Sequence, residues 1–232
     1  MQEANSFRGA RDFISAVLSN MKAATFLFLI CVSLTTQVMA HDGTQIDDPQ
    51  YYESHQDINR ALQNCDPFSW MYYRTYQPKL TDPEYACVYA NVTKLNGTGR
   101  YMFMQGWTKA DNQTIEVPLF VSTTKTPEYK GREDNAMHVT LRDRNGTIIR
   151  NFGLYELIYS DYEKCDILRV TLRGQACELY VHSKYLKEEE LQECLRYYKQ
   201  ACVKQGGDDY KVYNKNCKTH QKAKPAATTL SQ

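Results

Sequence analysis

Two carboxylates stand beside two cysteines in short β-type runs, Cys165-Asp166-Ile167 and Cys177-Glu178-Leu179. Side chains alternate across a strand, so each cysteine and its neighbouring acid point to opposite faces. If such strands close a barrel, the cysteines leave it and the carboxylates enter it. Asp166 then shares the inner face with Leu168 and Val170, and Glu178 with Tyr180 and His182. An ionised carboxylate in a dry interior is costly unless partnered. Two readings stay open on the residues alone: Arg or Tyr groups of the core satisfy both acids, or the acids await a cationic ligand. The chain has the wall for the second, with 18 Tyr against 8 Phe and 2 Trp, and a Tyr ring is apolar in body with a hydroxyl at its tip. Catalytic chemistry is poorly supplied. Of the 5 His, only His55, His138 and His182 fall where the chain should fold, and none has a nucleophile or metal-ligand spacing. The expectation is a binding protein, not an enzyme, with no metal and no cofactor, and with His182 as a partly buried strand residue.

The elements that must position these groups are mostly strands. Alternating or β-rich runs predict strands near 68–77, 84–95, 100–109, 113–124, 135–142, 147–160, 163–172 and 176–183. Between them lie Asn96-Gly97, Asp111-Asn112, Asn145-Gly146 and Arg173-Gly174, pairs that tolerate the positive φ of hairpin turns. Eight consecutive strands joined this way favour an up-and-down barrel, which removes its own edges and can hold one small ligand. A weak helical pattern runs from Asp47 to Gln63. A stronger one runs from Lys187 to Cys202, where Leu191, Cys194, Leu195, Tyr198 and Cys202 share a face and Glu188 to Glu190 sit at the positive end of the dipole. Its apolar face must pack on the outside of the barrel. On residue types, 28 Lys and Arg against 27 Asp and Glu give a net charge of +1, too small a field to argue for nucleic acid or an anionic membrane.

The first forty residues read as processing. Met21-Lys22 precedes an apolar run from Ala23 to Leu34, followed by Val38-Met39-Ala40 with small-residue spacing, which is the pattern of a secretory signal peptide over 21–40. The run is too short for the about 20 residues that span a bilayer. Residues 1–20 then read as an upstream leader, 41–217 as one domain, and 218–232 as a disordered tail. Seven cysteines lie beyond the signal: Cys65, Cys87, Cys165, Cys177, Cys194, Cys202 and Cys217. In a secreted chain they read as disulfides with one left over. Cys165 and Cys177, on adjacent strands, can both be covered by the helix carrying Cys194 and Cys202. Cys87 shares a face with Tyr89 and Asn91, and an outward Asn91 frees Cys87 to reach Cys217. Sequons at Asn91, Asn96, Asn112 and Asn145 fit an extracellular glycoprotein.

At these residues the sequence resembles a known family. The order Cys165-Asp166-Ile167, ten residues, Glu178-Leu179-Tyr180, thirteen residues, Cys194 is similar to the signature of amine-binding tick salivary lipocalins. His55-Gln56-Asp57, Leu62, Arg74-Thr75-Tyr76, Asp82-Pro83 and Tyr159-Ser160-Asp161 extend the likeness over the whole mature chain. The resemblance implies a mainly β protein, an eight-stranded antiparallel lipocalin barrel with an N-terminal helix and a C-terminal helix packed outside. It implies a secreted salivary protein that sequesters a host mediator such as histamine or serotonin. Some members bind leukotrienes or fatty acids, and some inhibit complement, so a lipid ligand or a scaffold for a complement or clotting factor stands as the alternative. Carried over by position, Glu178, Tyr180 and Tyr76 line one amine site with Tyr85, and Asp166 and Asp82 match a second. Departures lie at Asp57-Ile58-Asn59, where the family has a Trp, at Tyr155, where it has an Asp, and at Met137 and Val139, where histamine binders are aromatic. These departures suggest one amine site, or a lipid held through Arg74, which shares a face with Tyr76. The expected bridges are Cys87–Cys217, Cys165–Cys194 and Cys177–Cys202, the first two from facing and resemblance and the third from facing, leaving Cys65 unpaired or linking a dimer.

Overall fold

A computed structural model describes residues 52–77, 86–109, 112–174, 176–203 and 208–217. The leader, signal and tail expected over 1–40 and 218–232 lie outside these residues, as do Asp82 and Tyr85.

Eight strands follow one another: β1 (Phe68–Arg74), β2 (Ala86–Lys94), β3 (Arg100–Thr108), β4 (Thr114–Thr124), β5 (Ala136–Arg142), β6 (Ile148–Ser160), β7 (Cys165–Val170) and β8 (Ala176–His182). Each pairs antiparallel with the next, and β1 pairs with both β8 and β2, so the sheet closes into the barrel expected from the sequence. The closing seam is short, Phe68↔Asn91 to Trp70↔Tyr89. Past it, a strand not foreseen from the sequence, β9 (Tyr210–Lys211), pairs with Tyr73 and Arg74. Two residues carry no readable alternation, and this strand exists only because β1 has an open edge there.

Regular alternation is broken where it matters for the interior. In β1 the register with β8 shifts between Met71 and Tyr73. Tyr72 and Tyr73 therefore both pack in the outer cluster, while Met71 before them and Arg74 after them line the interior. In β6 the register shifts at Phe152, beside Gly153 with φ +85°, so Arg150 and Phe152 face inward ahead of the break and Tyr155 and Leu157 after it. Bulges of this kind add one residue to one strand and reverse the facing of all that follow.

The single N-terminal helix expected over 47–63 is, in its described part, a 3-10 turn (Glu53–His55) followed by α1 (Ile58–Ala61). The break falls at Asp57, whose carboxylate accepts the Arg60 backbone N–H at 3.0 Å, because Asp favours starting a helix over continuing one. α1 lies across one end of the barrel, tied by Ile58 N–H to the Asp134 carbonyl at 2.9 Å and by the Gln56 amide to the Ile158 carbonyl at 3.1 Å. The expected helix over 187–202 divides likewise, into a 3-10 turn (Glu188–Glu190) and α2 (Gln192–Cys202). α2 buries Cys194 and Tyr198 on the outer face of β7 and β8, against Ile167, Leu179 and Val181. Disulfides Cys165–Cys194 and Cys177–Cys202 strap it there, and Cys87–Cys217 ties the chain beyond β9 back to β2. Cys65 is exposed and unpaired, and Asn91, Asn96, Asn112 and Asn145 are all exposed.

Candidate ligand site

The barrel interior is divided along its axis into two chambers. The first, about 70 Å³, lies under α1 and is lined by Ile58, Ala61, Phe103, Met137, Val139, Leu168, Asp166 and His182. The second, about 210 Å³, lies toward the other end and is lined by Arg74, Tyr76, Trp107, Arg150, Phe152, Arg173 and Glu178. Tyr155, Tyr180, Gln105 and Leu119 border both and form the partition. Asp166 and Glu178, which the alternation predicts to be inward on neighbouring strands, are thus separated, one in each chamber. The β7–β8 register places Asp166 opposite Tyr180 and Glu178 opposite Leu168, so the Tyr180 ring stands between the two acids.

In the second chamber Glu178 is buried at 2% exposure. The Tyr76 hydroxyl donates to its Oε1, and the Tyr180 hydroxyl donates to its Oε2 at 3.1 Å. Among the described residues no basic group lies within ion-pair distance of it. Burial raises its carboxyl above the usual range, although the two phenols and the charges of Arg173 and Arg74 pull the other way. The phenols are themselves pushed up by burial and by Glu178, so both remain hydrogen-bond donors at neutral pH. A carboxylate offers about four lone-pair positions, so a donor entering the chamber still finds two. The walls beside it are aromatic: Tyr155 and Tyr180 at the partition, Trp107 and Phe152 beyond.

Three arginines share this chamber. Arg74 is buried at 9% exposure and its Nε has no hydrogen-bond partner. Arg150 and Arg173 are exposed and lie over aromatic rings, Arg150 at 5.0 Å from the Phe152 centroid and Arg173 at 4.3 Å from that of Tyr76. Trp107, Phe152, Arg150 and Arg173 were missed from the sequence. Trp107 was legible, since it continues the inward alternation of Phe103 and Gln105, whereas Arg150 and Phe152 face inward only because of the break at Gly153.

The first chamber is built differently. His182 is fully engaged: its Nδ1 lies 2.7 Å from the Asp66 carbonyl oxygen and its Nε2 3.1 Å from Asp166 Oδ2. Burial lowers its affinity for a proton, but Asp166 and Asp66 together outweigh this and its pKa is raised. His182 is a strand residue of β8 as expected, but it is buried rather than partly buried, at 4% exposure, and belongs to a polar chain. Asp166 keeps one buried oxygen, Oδ1, without a hydrogen bond. The Asp66 carboxylate is spent on the chain, accepting from Ser183 Oγ at 2.8 Å and from the Lys184 N–H at 3.1 Å. Arg169 faces outward, beneath α2, donating toward the Ala201 carbonyl at 3.5 Å. Asp161, Cys165 and Cys194 bring potential metal ligands together, but both sulfurs are committed to a disulfide.

No curated protein sequence matches the chain. Among solved structures, a serotonin complex of AM182 superposes with a TM-score of 0.50 at 16% identity, covering 69% of this chain and 92% of that one. Apocrustacyanin C2 superposes with a TM-score of 0.50 at 12% identity, covering 75% of this chain and 91% of that one. At such identities the likeness is one of fold. The sequence itself matches the family described as tick histamine binding protein over residues 46–219, a span holding every strand, helix and disulfide of the described residues. This chain therefore belongs to the tick histamine binding protein family.

Proposed function

We propose that the protein is a secreted lipocalin that sequesters a small host mediator, a biogenic amine such as histamine or serotonin, inside its barrel. The observation that carries this reading is Glu178, a buried carboxylate held by two phenols, facing an aromatic-walled cavity and lacking an ion partner among the described residues. A primary ammonium would take the open lone pairs of Glu178, and its ring would stack against Tyr155 and Tyr180. Tyr76, Tyr180 and Glu178 form the ligand's polar grip in this reading, with Tyr155 as wall and Asp166 as an acid of the adjoining chamber. The match to a family named for histamine binding supports it, as does the fold shared with a protein crystallised with serotonin. The three disulfides suit an oxidising compartment, and exposed sequon asparagines suit glycosylation there. Exposed Cys65 offers a route to a disulfide-linked dimer.

A lipid mediator is the second reading, favoured by Arg74, which could take a fatty-acid or leukotriene carboxylate. Calorimetric titration of the purified protein with histamine, serotonin and a leukotriene separates the two. Heat from the amines alone supports the first reading, and heat from the leukotriene alone replaces it with the second.

A further inference from the structure

Among the described residues, two of the charges lining the second chamber are buried, Glu178 and Arg74. Glu178 and Arg74 sit directly opposite one another in the β1–β8 ladder, where facing side chains start about 5 Å apart. They do not form an ion pair among those found in the described residues, and Arg74 Nε is buried without a hydrogen bond. The Arg74 guanidinium lies instead beside the Tyr76 ring, 5.5 Å from its centroid, and borders the cavity. An unpaired buried cation is costly, and a guanidinium presents a fork that matches a carboxylate. A bare ammonium bound to Glu178 would leave this cation unmatched and add a second positive charge next to it. A bare acid bound to Arg74 would leave Glu178 unmatched.

We infer that the second chamber is built for a zwitterionic head group, an ammonium on Glu178 and a carboxylate on Arg74, as carried by an aromatic α-amino acid or a larger molecule ending in one. This rests on the reading of Glu178 as the amine-binding group and extends its ligand from a bare amine to one that carries an acid on the same carbon. The two charges of an α-amino acid are held on one carbon, close enough to bridge facing residues of adjacent strands. The ring beyond would enter the space between Tyr155, Trp107 and Phe152. Exposed Arg150 and Arg173 would draw the carboxylate toward this end of the barrel.

Three probes that share an indole ring test it: L-tryptophan with both charges, tryptamine with the ammonium alone, and indole-3-propionate with the carboxylate alone. Calorimetry on the full disulfide-bonded chain should find L-tryptophan bound at least about tenfold more tightly than either, the low end for a charge-assisted hydrogen bond. In Arg74→Gln the order should invert, with L-tryptophan weakened by about tenfold or more and tryptamine strengthened as a like charge is removed. Arg74→Lys, which keeps a cation but loses the fork, serves if the Gln variant fails to fold and should weaken L-tryptophan by less. Tryptamine binding as tightly as L-tryptophan to the wild type would overturn the zwitterion inference and leave the amine reading standing. Indole-3-propionate matching L-tryptophan would overturn it in favour of a simple acid. Absence of binding by both tryptamine and L-tryptophan would overturn the inference, and the amine reading beneath it falls as well only if serotonin and histamine also give no heat.

Discussion

Asp166→Asn should destabilise the protein in a pH-dependent way, because of what His182 is held between. The Asp66 carbonyl can only accept, so the His182 Nδ1 at 2.7 Å carries a hydrogen. Nε2 then faces Asp166 Oδ2 at 3.1 Å, and the pair is strongest as imidazolium and carboxylate. This contact, together with Asp66, raises the His182 pKa despite burial. A His whose folded-state pKa lies above its unfolded value of about 6.5 stabilises the fold fully below that value. The contribution disappears as pH rises through the folded-state pKa. In Asp166→Asn the amide N–H can donate to Nε2 of a neutral ring, so little is lost in alkali, where the wild-type ring is also neutral. At about pH 5 the variant lacks a charge-assisted hydrogen bond at a 4% exposed histidine, worth about 1.5–3 kcal/mol. Urea denaturation of both proteins at about pH 5 and about pH 9 reads the difference directly. A stability gap equal at the two pH values, or larger in alkali, would refute the assignment of charge to this pair.

Three further outcomes are expected. Amine affinity should fall on acidification from neutral pH sooner than an ordinary glutamate would allow, since the raised pKa of Glu178 makes it take up a proton earlier; flat affinity between about pH 7.5 and pH 5 would contradict this. Replacing Cys177 and Cys202 by Ala opens a bridge with a sequence separation of 25 and should cost about 2–4 kcal/mol, read as a lowered melting temperature, while Cys165–Cys194 keeps α2 attached. Gly106→Ala should cost about 1–3 kcal/mol in denaturant titration, because a Cβ there overlaps the Tyr89 ring, which is pinned by its hydrogen bond to Glu116 at 2.6 Å; a cost within error of zero would show the ring is free to move.

The barrel was legible because its strands alternate and its turns carry Asn-Gly and Gly pairs, both local signals. The outward facing of Cys165 and Cys177 was legible for the same reason, since β7 and β8 run without a bulge. Facing is not readable through a bulge. Regular alternation through β1 would place Arg74 on the face of Trp70 and Tyr72, yet those two pack outside and Arg74 lines the cavity, because one extra residue near Tyr72 reverses the strand. The bulge at Phe152 hid two lining residues of β6 in the same way. Strand register was the other loss. Knowing that Asp166 and Glu178 both face inward does not say how far β7 slides past β8, and a two-residue offset is what sets Tyr180 between them. The break at Asp57 shows local chemistry overriding a periodic pattern: Ile58 and Leu62 are four apart, but the residue before them caps a new helix.

The account turns on Glu178 as the group that grips a cation inside the barrel. Calorimetric titration of serotonin and histamine into wild type and Glu178→Gln tests this most directly, because Gln keeps the shape and removes the charge. Affinity for whichever amine binds should fall by about 1.5–3 kcal/mol, roughly tenfold to a hundredfold, in a variant whose circular dichroism matches the wild type. Unchanged amine affinity in that folded variant would contradict the assignment.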